Sequence, residues 1–573
     1  MRDVSAVTQL LMAPDVKMGR ATALRLFGEG DLHGARATLR PIVEDSDDPE
    51  DRLLLGRMAF VAIDFAEARD QLERAYREFQ AAGLQRRAAM TAIALGQLYA
   101  DGLEEPPVGH GWLNRALRLL EREEPCVEQG YAVLGLMGAS VASADQLGAS
   151  ARQALDLAYR FGDRALECKA LGDWGLALVS MGSIQDGMAR LDEACTMIVG
   201  GDCTDPAVSH QVVCGMLSAC DRCGDVTRAR SWLRYIEDTA SGGLHGAALH
   251  ALAHCWSAFG SVLCQVGRFQ EAEIALRMGL ATGDASFRHM RFATRAALAD
   301  LWIRQGRLDE AAQLVDDSVD RVEIMGPQAR LYLAQHRYDL AAAVARHTLR
   351  ELSGDRLRPA PLLLTVIEAE LSSGNLMGAE QAAAQLAELA DGPDVPAVGA
   401  QAALGLGKVA AARGEVESAA NHLGTGLTQL AGDSWPLLAA ALHLELARVQ
   451  QEKAPASAIV AARAALNLYA GVGAPEASTA ADLLRRLGLP VAAAPRPPTA
   501  LDVLSARQRE VLACLAEGLS NPEIAGRLFI TPKTAEHHVS SILAKLGLKN
   551  RAEAAAFAAS FRISPGRQAS AAR

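Results

Sequence analysis

A short turn motif recurs through most of this chain and constrains its fold more than any other feature. Each copy has Gly first, an apolar residue two positions later and Ala five positions later. The full copies are GDLHGA (30–35), GDVTRA (224–229), GRFQEA (267–272), GRLDEA (306–311), GNLMGA (374–379) and GEVESA (414–419), and weaker copies begin at 63, 182, 336 and 453. From residue 182 onward the copies begin 30 to 43 residues apart, a period typical of stacked helical hairpins.

The residue types in the motif have a physical explanation. Gly ends a helix in the left-handed conformation, the apolar residue packs under the turn, and Ala allows two backbones to approach closely. A second small residue precedes several turns by seven positions, which places it two helical turns earlier on the same face. These residues are Gly175, Gly260, Ala299 and Gly407. We therefore expect pairs of closely packed antiparallel helices.

In these positions the body of the chain resembles the tetratricopeptide repeat family, with a longer and more variable period. The resemblance implies an all-α solenoid over residues 1–489, in which each unit contacts its neighbours and a concave surface is left for a peptide or other partner. The pattern assigns no repeat boundaries between about 70 and 180. A second interpretation stays open, in which the body is a packed scaffold that only spaces the rest of the chain.

Composition indicates a cytoplasmic protein. No apolar run in the 573 residues approaches the roughly 18 residues of a membrane helix, and the first residues lack the pattern of a signal peptide. The ten cysteines show no disulfide-like spacing, which fits a reducing compartment. We expect no contact with a membrane.

The charge is divided unevenly along the chain. Residues 501–573 carry ten Lys plus Arg against six Asp plus Glu, whereas the first 500 residues carry 47 against 62. A basic tail on an acidic body is expected when only the tail meets a polyanion, because cationic side chains release counterions from phosphate.

Three patterns that suggest catalysis or metal binding are better explained as structure. GLGK (405–408) lacks the first Gly and the Ser or Thr of a phosphate loop and fits a repeat helix. Cys220 and Cys223 form a single CxxC, with no second pair to complete a zinc site. His250 and His254 lack an intervening Glu. We therefore expect no cofactor, no metal and no enzymatic activity.

The sequence pattern changes after a proline-rich linker at 490–500. Residues 501–563 contain four helix starts with N-caps: Ser505 with Gln508, Ser520 with Glu523, Thr531 before Pro532, and Asn550 with Glu553. The predicted helices are 506–517, 521–529, 532–546 and 551–561. We expect a disordered tail at 564–573.

The second and third of these helices, joined by a tight turn, form a helix-turn-helix arrangement. The third helix has one apolar stripe, which must be buried against its neighbours. The stripe comprises Ala535, Val539, Ile542, Leu543 and Leu546. The opposite face has small, polar and cationic side chains that suit a DNA groove. These are Lys533, Thr534, His537, Ser540 and Ser541.

Residues 504–558 resemble the LuxR-type DNA-binding domain of bacterial transcription regulators. The resemblance is carried by the Arg507–Leu512 segment, GLSN, EIA, the Thr534–Lys545 helix, and Asn550, Arg551 and Ala555. It implies that helix 532–546 enters the major groove of double-stranded DNA, with bases contacted by Glu536, His537 and Ser540. The backbone contacts that it implies are Lys533, Thr534, Ser541 and Lys545.

Some positions depart from the LuxR pattern. Gln508 stands where Glu is more frequent, Ala535 where Val is usual, and Glu536 where Lys is frequent. Glu536 removes a cation from the groove and offers an acceptor to cytosine, so the operator of a better-known relative does not transfer. A homodimer on DNA is expected because one domain reads a short half-site, and helix 551–561, with Phe557 and Phe561, is a candidate for part of that contact.

Repeats followed by such a tail resemble the large LuxR and MalT-like regulators, without the ATPase module that often precedes the repeats there. We therefore predict a transcriptional regulator whose body binds an unknown protein, peptide or small-molecule effector and whose tail reads promoter DNA. The alternative is a tetratricopeptide-like interaction scaffold that does not bind DNA.

Overall fold

The chain is α-helical throughout the part that the structure describes. The computed structural model describes residues 14–139, 143–241, 247–283, 288–315, 322–352, 354–392, 395–430, 435–491, 500–546, 548 and 550–560. These residues form 29 α-helices, one π-helical turn and one 3-10 turn, with no strand among them. The all-α fold predicted from the sequence is confirmed.

Twenty-five of these helices form the body of the chain. The repeat motif predicts a helical body. Its first part consists of α1 (Pro14–Gly28), α2 (Leu32–Asp45), α3 (Pro49–Val61), α4 (Phe65–Ala81), α5 (Gln85–Gln97), α6 (Pro106–Leu120), α7 (Val127–Ala139), α8 (Ala144–Phe161), α9 (Arg164–Ser180), α10 (Ile184–Val199), α11 (Pro206–Cys223) and α12 (Val226–Ser241). Its second part consists of α13 (Ala247–Gln265), α14 (Phe269–Gly283), α15 (Arg288–Arg304), α16 (Leu308–Val315), α17 (Val322–Ala334), α18 (Tyr338–Glu351), α19 (Pro359–Ser372), α20 (Leu376–Ala390), α21 (Pro396–Ala412), α22 (Val416–Gln429), α23 (Pro436–Gln450), α24 (Pro455–Val472) and α25 (Glu476–Arg486).

The first residue of the turn motif is left-handed, as the sequence predicts. All six full copies and the copy at 182 have Gly with positive φ there. Two weaker copies keep the conformation without Gly, since Ile63 and His336 both have a φ of 60°. The copy at 453 departs from the rule, because Lys453 is absent from the positive-φ residues. The typical closing hydrogen bond is seen where the N–H of Arg268 donates to the carbonyl of Leu263 at 2.9 Å.

The small residues before the turns allow the paired helices to touch. A Cβ added to Gly175 of α9 would lie 2.7 Å from the carbonyl oxygen of Gly187 in α10. A Cβ on Gly260 would meet Leu276 at 2.5 Å, and one on Gly407 would meet Leu423 at 2.7 Å. The close packing of these helical hairpins therefore requires glycine at these positions.

Residues 70–180, where the sequence pattern assigns no units, contain helices α5 to α9 and most of α4. The turns here do not follow the motif: α5 continues into a π-helical turn at Leu98–Gly102, and Glu104 has a φ of 57°. Gly83 and Gly162 are left-handed but lack the motif around them. The helices of the solenoid therefore also occupy the region in which the turn motif does not recur.

The GLGK segment lies within α21, as a repeat helix rather than a phosphate loop. Lys408 binds Glu368 and Glu445 at 3.1 and 3.2 Å, and these carboxylates raise its pKa although burial opposes the charge. Cys220 is buried on α11 with its Sγ 3.9 Å from the sulfur of Met216. The side chains of His250, His254 and Phe561, most of the 490–500 linker, and the 564–573 tail lie outside the described residues.

The solenoid curls until distant turns meet. Gly224 lies against Trp435, Gly267 against Val472, and Gly306 against Pro475. The backbone N–H of Arg356 donates to the carbonyl of Ser180 at 2.8 Å. The curled helices line an open cavity of about 1770 Å³. Among the described residues, none of the helices has the length and apolar content needed to cross a bilayer.

We predict that Gly175→Ala lowers the free energy of unfolding by roughly 1–3 kcal/mol, because the new methyl group forces α9 and α10 apart. Gly111→Ala in α6 is the matched control. A Cβ there meets nothing within 4 Å, so replacing a helical Gly should stabilise the protein by about 0.5–1 kcal/mol. Urea unfolding followed by circular dichroism measures both, and equal effects of the two substitutions would contradict the close-approach explanation.

Candidate nucleic-acid interface

The last four helices form a small domain whose N-caps are those predicted from the sequence. They are α26 (Ala506–Ala516), α27 (Asn521–Leu528), α28 (Pro532–Leu546) and α29 (Arg551–Ser560). Each predicted boundary within the described residues is correct to within one residue. A 3-10 turn at Ala500–Val503 precedes them.

The caps are formed by side chains of the expected types. Ser505 and Gln508 form a reciprocal capping box, with hydrogen bonds of 3.2 and 2.9 Å. Glu523 accepts from both the N–H and the hydroxyl of Ser520 at 2.6 Å, and these bonds hold the pKa of Glu523 below its usual value.

The remaining two helices are capped in the same way. The Thr531 hydroxyl accepts from the N–H of Thr534 at 3.1 Å, and the Asn550 side chain accepts from the N–H of Glu553 at 3.0 Å. All four helix starts are therefore fixed by local hydrogen bonds.

The apolar stripe of α28 anchors it in the core of this domain. Its buried residues are Ala535, Val539, Ile542 and Leu546, and Leu543 packs against the same cluster while partly exposed. The stripe meets residues from the other three helices: Val511, Leu512 and Leu515 of α26, Ile524 of α27, and Phe557 of α29. The predicted burial of this stripe is confirmed.

The opposite face of α28 is open. Lys533, Thr534, Glu536, His537 and Ser540 are all exposed. Glu536, His537 and Ser540 lie at relative positions i, i+1 and i+4, so they share the outer face of the helix. Five of the seven predicted DNA-contacting residues are thus brought together on one accessible surface.

The other two predicted residues, Ser541 and Lys545, are held by a side chain from α26. Gln508 is 6% exposed, and its Nε2 donates to the Ser541 hydroxyl at 2.8 Å. Its Oε1 accepts from the Lys545 ammonium at 2.9 Å and from the N–H of Ser505 at 2.9 Å. Gln508 therefore links the start of α26 to Ser541 and Lys545, at the edge of the exposed face of α28. The sequence indicated only its capping role, because the contact to α28 spans more than thirty residues.

Further polar contacts hold both ends of α27. A guanidinium nitrogen of Arg507 donates to the carbonyl of Leu528 beside the turn before α28, and Arg551 donates to the side chain of Asn521 at the start of α27 at 2.8 Å. The turn residue Phe529 is left-handed, with a φ of 54°, and its side chain is 95% exposed. The turn between α27 and α28 is thus set by the backbone geometry of Phe529 and by the bond from Arg507 of α26.

We predict that Gln508→Ala weakens the attachment of α28, because three hydrogen bonds are lost and Ser541 and Lys545 are released. The free energy of local opening should fall by about 1–2 kcal/mol. Hydrogen exchange of amides in α26 and α28 of the full chain measures this. Gln508→Glu is the control, since it keeps the acceptors for Ser505 and Lys545 and should stay within about 0.5 kcal/mol of the parent. If Gln508→Ala left the hydrogen exchange of these amides unchanged, the link between α26 and α28 through Gln508 would be contradicted.

A family model and curated relatives match the sequence of this domain. The family model described as "Bacterial regulatory proteins, luxR family" matches residues 502–558. The DNA-binding transcriptional activator DevR/DosR of Mycobacterium tuberculosis is 47% identical over 58 residues, which are 10% of this chain and 27% of that protein. The transcriptional regulatory protein YhcZ of Bacillus subtilis is 47% identical over 60 residues, 10% of this chain and 28% of that protein.

The chain thus spans about a quarter of the length of these curated relatives. The solved structure of the APC/C hetero-tetramer Cut9–Hcn1 aligns with 84% of this chain and 98% of its own chain at 15% identity and a TM-score of 0.40, a likeness too distant to bear on function. The family match agrees with two features of the structure, the four capped helices and the buried apolar stripe of α28. Residues 502–558 are a helix-turn-helix domain of the luxR family of bacterial regulatory proteins.

Proposed function

We propose that this protein is a cytoplasmic, non-enzymatic transcriptional regulator that reads promoter DNA with α28 and binds an effector with its helical body. The observation that carries the proposal is the division of α28 into a buried apolar stripe and an exposed polar face. A helix held from one side leaves the other free to lie in a major groove, which is wide enough to admit it.

The roles of individual residues on α28 follow from their positions. Glu536, His537 and Ser540 would meet base edges, with Glu536 accepting from a cytosine amino group and His537 donating to or accepting from a base. Lys533 and Thr534 lie in the first turn of the helix, where backbone N–H groups also favour phosphate.

Ser541 and Lys545 have a conditional role in this proposal. Both are engaged by Gln508, and the Ser541 hydroxyl would turn from Gln508 to phosphate on binding. The Lys545 ammonium is exposed and has three donors, so it can contact phosphate without leaving Gln508. Ser541 is half-buried and contributes through its hydroxyl alone.

The cavity inside the curled body is the proposed effector site. At about 1770 Å³ it exceeds a typical small-ligand pocket of roughly 300–1,000 Å³. Its lining carries many charged groups, among them Asp300, which pairs with Arg304 at 2.9 Å and Arg330 at 2.5 Å. Arg222 also lines it, and burial lowers its pKa to about 10. A peptide or a polar small molecule suits such a lining.

The competing function is an interaction scaffold whose last domain does not bind DNA. The two functions differ in what the outer face of α28 does, because a scaffold gives no role to Lys533 or His537. DNA binding by the isolated segment 501–573 therefore separates them.

We predict that the full chain and segment 501–573 both bind duplex DNA with an affinity that falls as salt rises, because cationic contacts release counterions. Lys533→Ala should weaken binding to all sequences and reduce the salt slope by about one. His537→Ala should change the sequence preference by roughly 1–3 kcal/mol at one position. Gel-shift titrations and selection from random duplexes measure these effects.

Lys453→Ala is the matched control, since Lys453 is an exposed lysine in a body turn and removes the same charge. It should leave binding unchanged. Absence of binding by segment 501–573 at low salt would favour the scaffold, and equal losses for Lys533→Ala and Lys453→Ala would argue against contact through α28.

A further inference from the structure

The lining of the cavity in the body is more cationic than the body as a whole. Seven arginines line the cavity against five carboxylates. The first 500 residues carry 47 Lys plus Arg against 62 Asp plus Glu, so the excess charge around the cavity has the opposite sign. A concave surface with low-dielectric walls concentrates the potential of its own charges and draws in ligands of the other sign. The cavity therefore favours an anion.

The lining combines a charged wall with an apolar wall. Nine of its twelve charged residues lie within 221–330, from α11 to α17, and form the charged wall. The apolar wall consists of half-buried side chains from α19 to α23 and the loops between them: Leu364, Val395, Leu430, Trp435, Leu437 and Leu438. The walls meet where a Cβ on Gly224 would lie 2.8 Å from the Trp435 ring. Such a lining suits a ligand that is charged at one end and apolar along the rest.

Two arginines of the lining share one carboxylate. The Nε of Arg358 lies 2.6 Å from Oδ2 of Asp355, and Nη1 of Arg222 lies 3.6 Å from the same oxygen. The Asp355 side chain is 2% exposed and also accepts from the N–H groups of Leu357 and Arg358 at 2.9 Å each. Burial and the nearby charge of Arg358 lower the pKa of Arg222 to about 10. Asp355 therefore compensates the Arg222 guanidinium incompletely.

The second carboxylate that acts on Arg222 is Asp221, and it is the weaker of the two. Asp221 accepts from Nε2 of Gln265 at 2.9 Å, and burial raises its pKa, which favours the neutral form. A ligand carboxylate or phosphate can accept charge-assisted hydrogen bonds from two guanidinium groups at once. Arg222 and Arg358 therefore form a site for one anionic group.

The apolar wall favours a hydrocarbon chain over a peptide. Each backbone N–H and C=O of a bound peptide needs a hydrogen-bond partner, whereas a hydrocarbon chain needs none. The uncharged polar lining residues of α19 to α22 are Thr365, Gln401 and Gln429. The Thr365 hydroxyl already donates to the carbonyl of Pro361 at 3.0 Å. This wall therefore offers much apolar surface and few partners for a peptide backbone.

We propose that the cavity binds an amphipathic anion. Its carboxylate or phosphate head lies against Arg222 and Arg358, and its hydrocarbon chain packs on Trp435, Leu437 and Leu438. The proposal names the ligand class of the effector site in the proposed function and rests on that function only for the effect on DNA, since ligand binding is measured without DNA.

The first test measures binding of four probes to the full chain by titration calorimetry, below the concentrations at which they form micelles. Dodecanoate and dodecyl phosphate share the chain and differ in the anionic group. Dodecyltrimethylammonium keeps the chain and reverses the charge, and acetate keeps the carboxylate without the chain. We expect at least one of the two dodecyl anions to bind at one site, and the ammonium and acetate to bind at least about tenfold more weakly.

The relative affinity of the two anions then shows whether the site prefers a carboxylate or a phosphate. Equal binding of dodecyltrimethylammonium would overturn the role of the arginines, and equal binding of acetate would overturn the role of the apolar wall. Binding of neither dodecyl anion would overturn the whole proposal.

Arg358→Ala tests the position of the head group. It should weaken binding of the dodecyl anions about tenfold, because one of two guanidinium groups is lost while Asp355 keeps Arg222 and two backbone N–H groups as partners. Arg74→Ala on α4 is the matched control. Arg74 is 54% exposed and pairs with one carboxylate at 3.0 Å, as the 49% exposed Arg358 does, but lies outside the lining. Equal affinities of the two variants would contradict the site at Arg222 and Arg358.

Leu438→Asp tests the position of the chain. Leu438 is the third residue of α23, and the matched control Leu340→Asp changes the third residue of α18, which is 42% exposed and outside the lining. Leu438→Asp should weaken dodecanoate about tenfold and Leu340→Asp should match the parent. Leu438→Ala should act in the same direction by a smaller factor, which covers the case in which circular dichroism shows the aspartate variant unfolded. Parent affinity in the folded Leu438 variants would place the chain elsewhere.

Duplex binding with and without dodecanoate separates this proposal from the proposed function. A change in duplex affinity that Arg358→Ala abolishes supports both. Dodecanoate binding at this site with no DNA binding under any condition would leave the ligand site standing and remove the regulator assignment. DNA binding by a chain that binds neither dodecyl anion would do the reverse.

Discussion

The burial of one apolar stripe on α28 is the interaction on which the function of this molecule depends. Ala535, Val539, Ile542 and Leu546 fix the helix against three neighbours, and this packing alone decides which side chains point outward. Because the stripe follows the 3.6-residue period, burying it places Glu536, His537 and Ser540 on the outer face of the helix. The polar face is therefore a consequence of hydrophobic packing.

Local signals made much of this fold predictable from the sequence. A capping box or a left-handed Gly acts within a few residues, so the four helices of the last domain and the turns of the body could be located from short motifs. The left-handed φ of Ile63 and His336 extends the rule, since two of the three copies without Gly keep its geometry. Between residues 70 and 180 the same helical architecture uses other turns, so the motif does not predict the helix boundaries there.

Contacts between distant residues could not be predicted in this way. The link from Gln508 to Ser541 and Lys545 joins two helices whose separation in sequence carries no periodic signal. The same holds for the closure of the solenoid, where Gly224 meets Trp435, and for the packing of Met278 of α14 against the core of the last domain. These contacts depend on how the solenoid curls, which is the sum of many small rotations between neighbouring units. Exposure of Lys533 and His537 was predictable, whereas the engagement of Ser541 by Gln508 was not.

Photo-crosslinking can establish whether the outer face of α28 contacts DNA bases. A photoreactive side chain placed at position 537 of the full chain, bound to duplex DNA and irradiated, should attach to bases in the major groove. The same group at position 377, exposed on the body, should leave the duplex unlabelled. DNA binding without crosslinking from position 537, or equal labelling from both positions, would show that this face of α28 does not contact the bases.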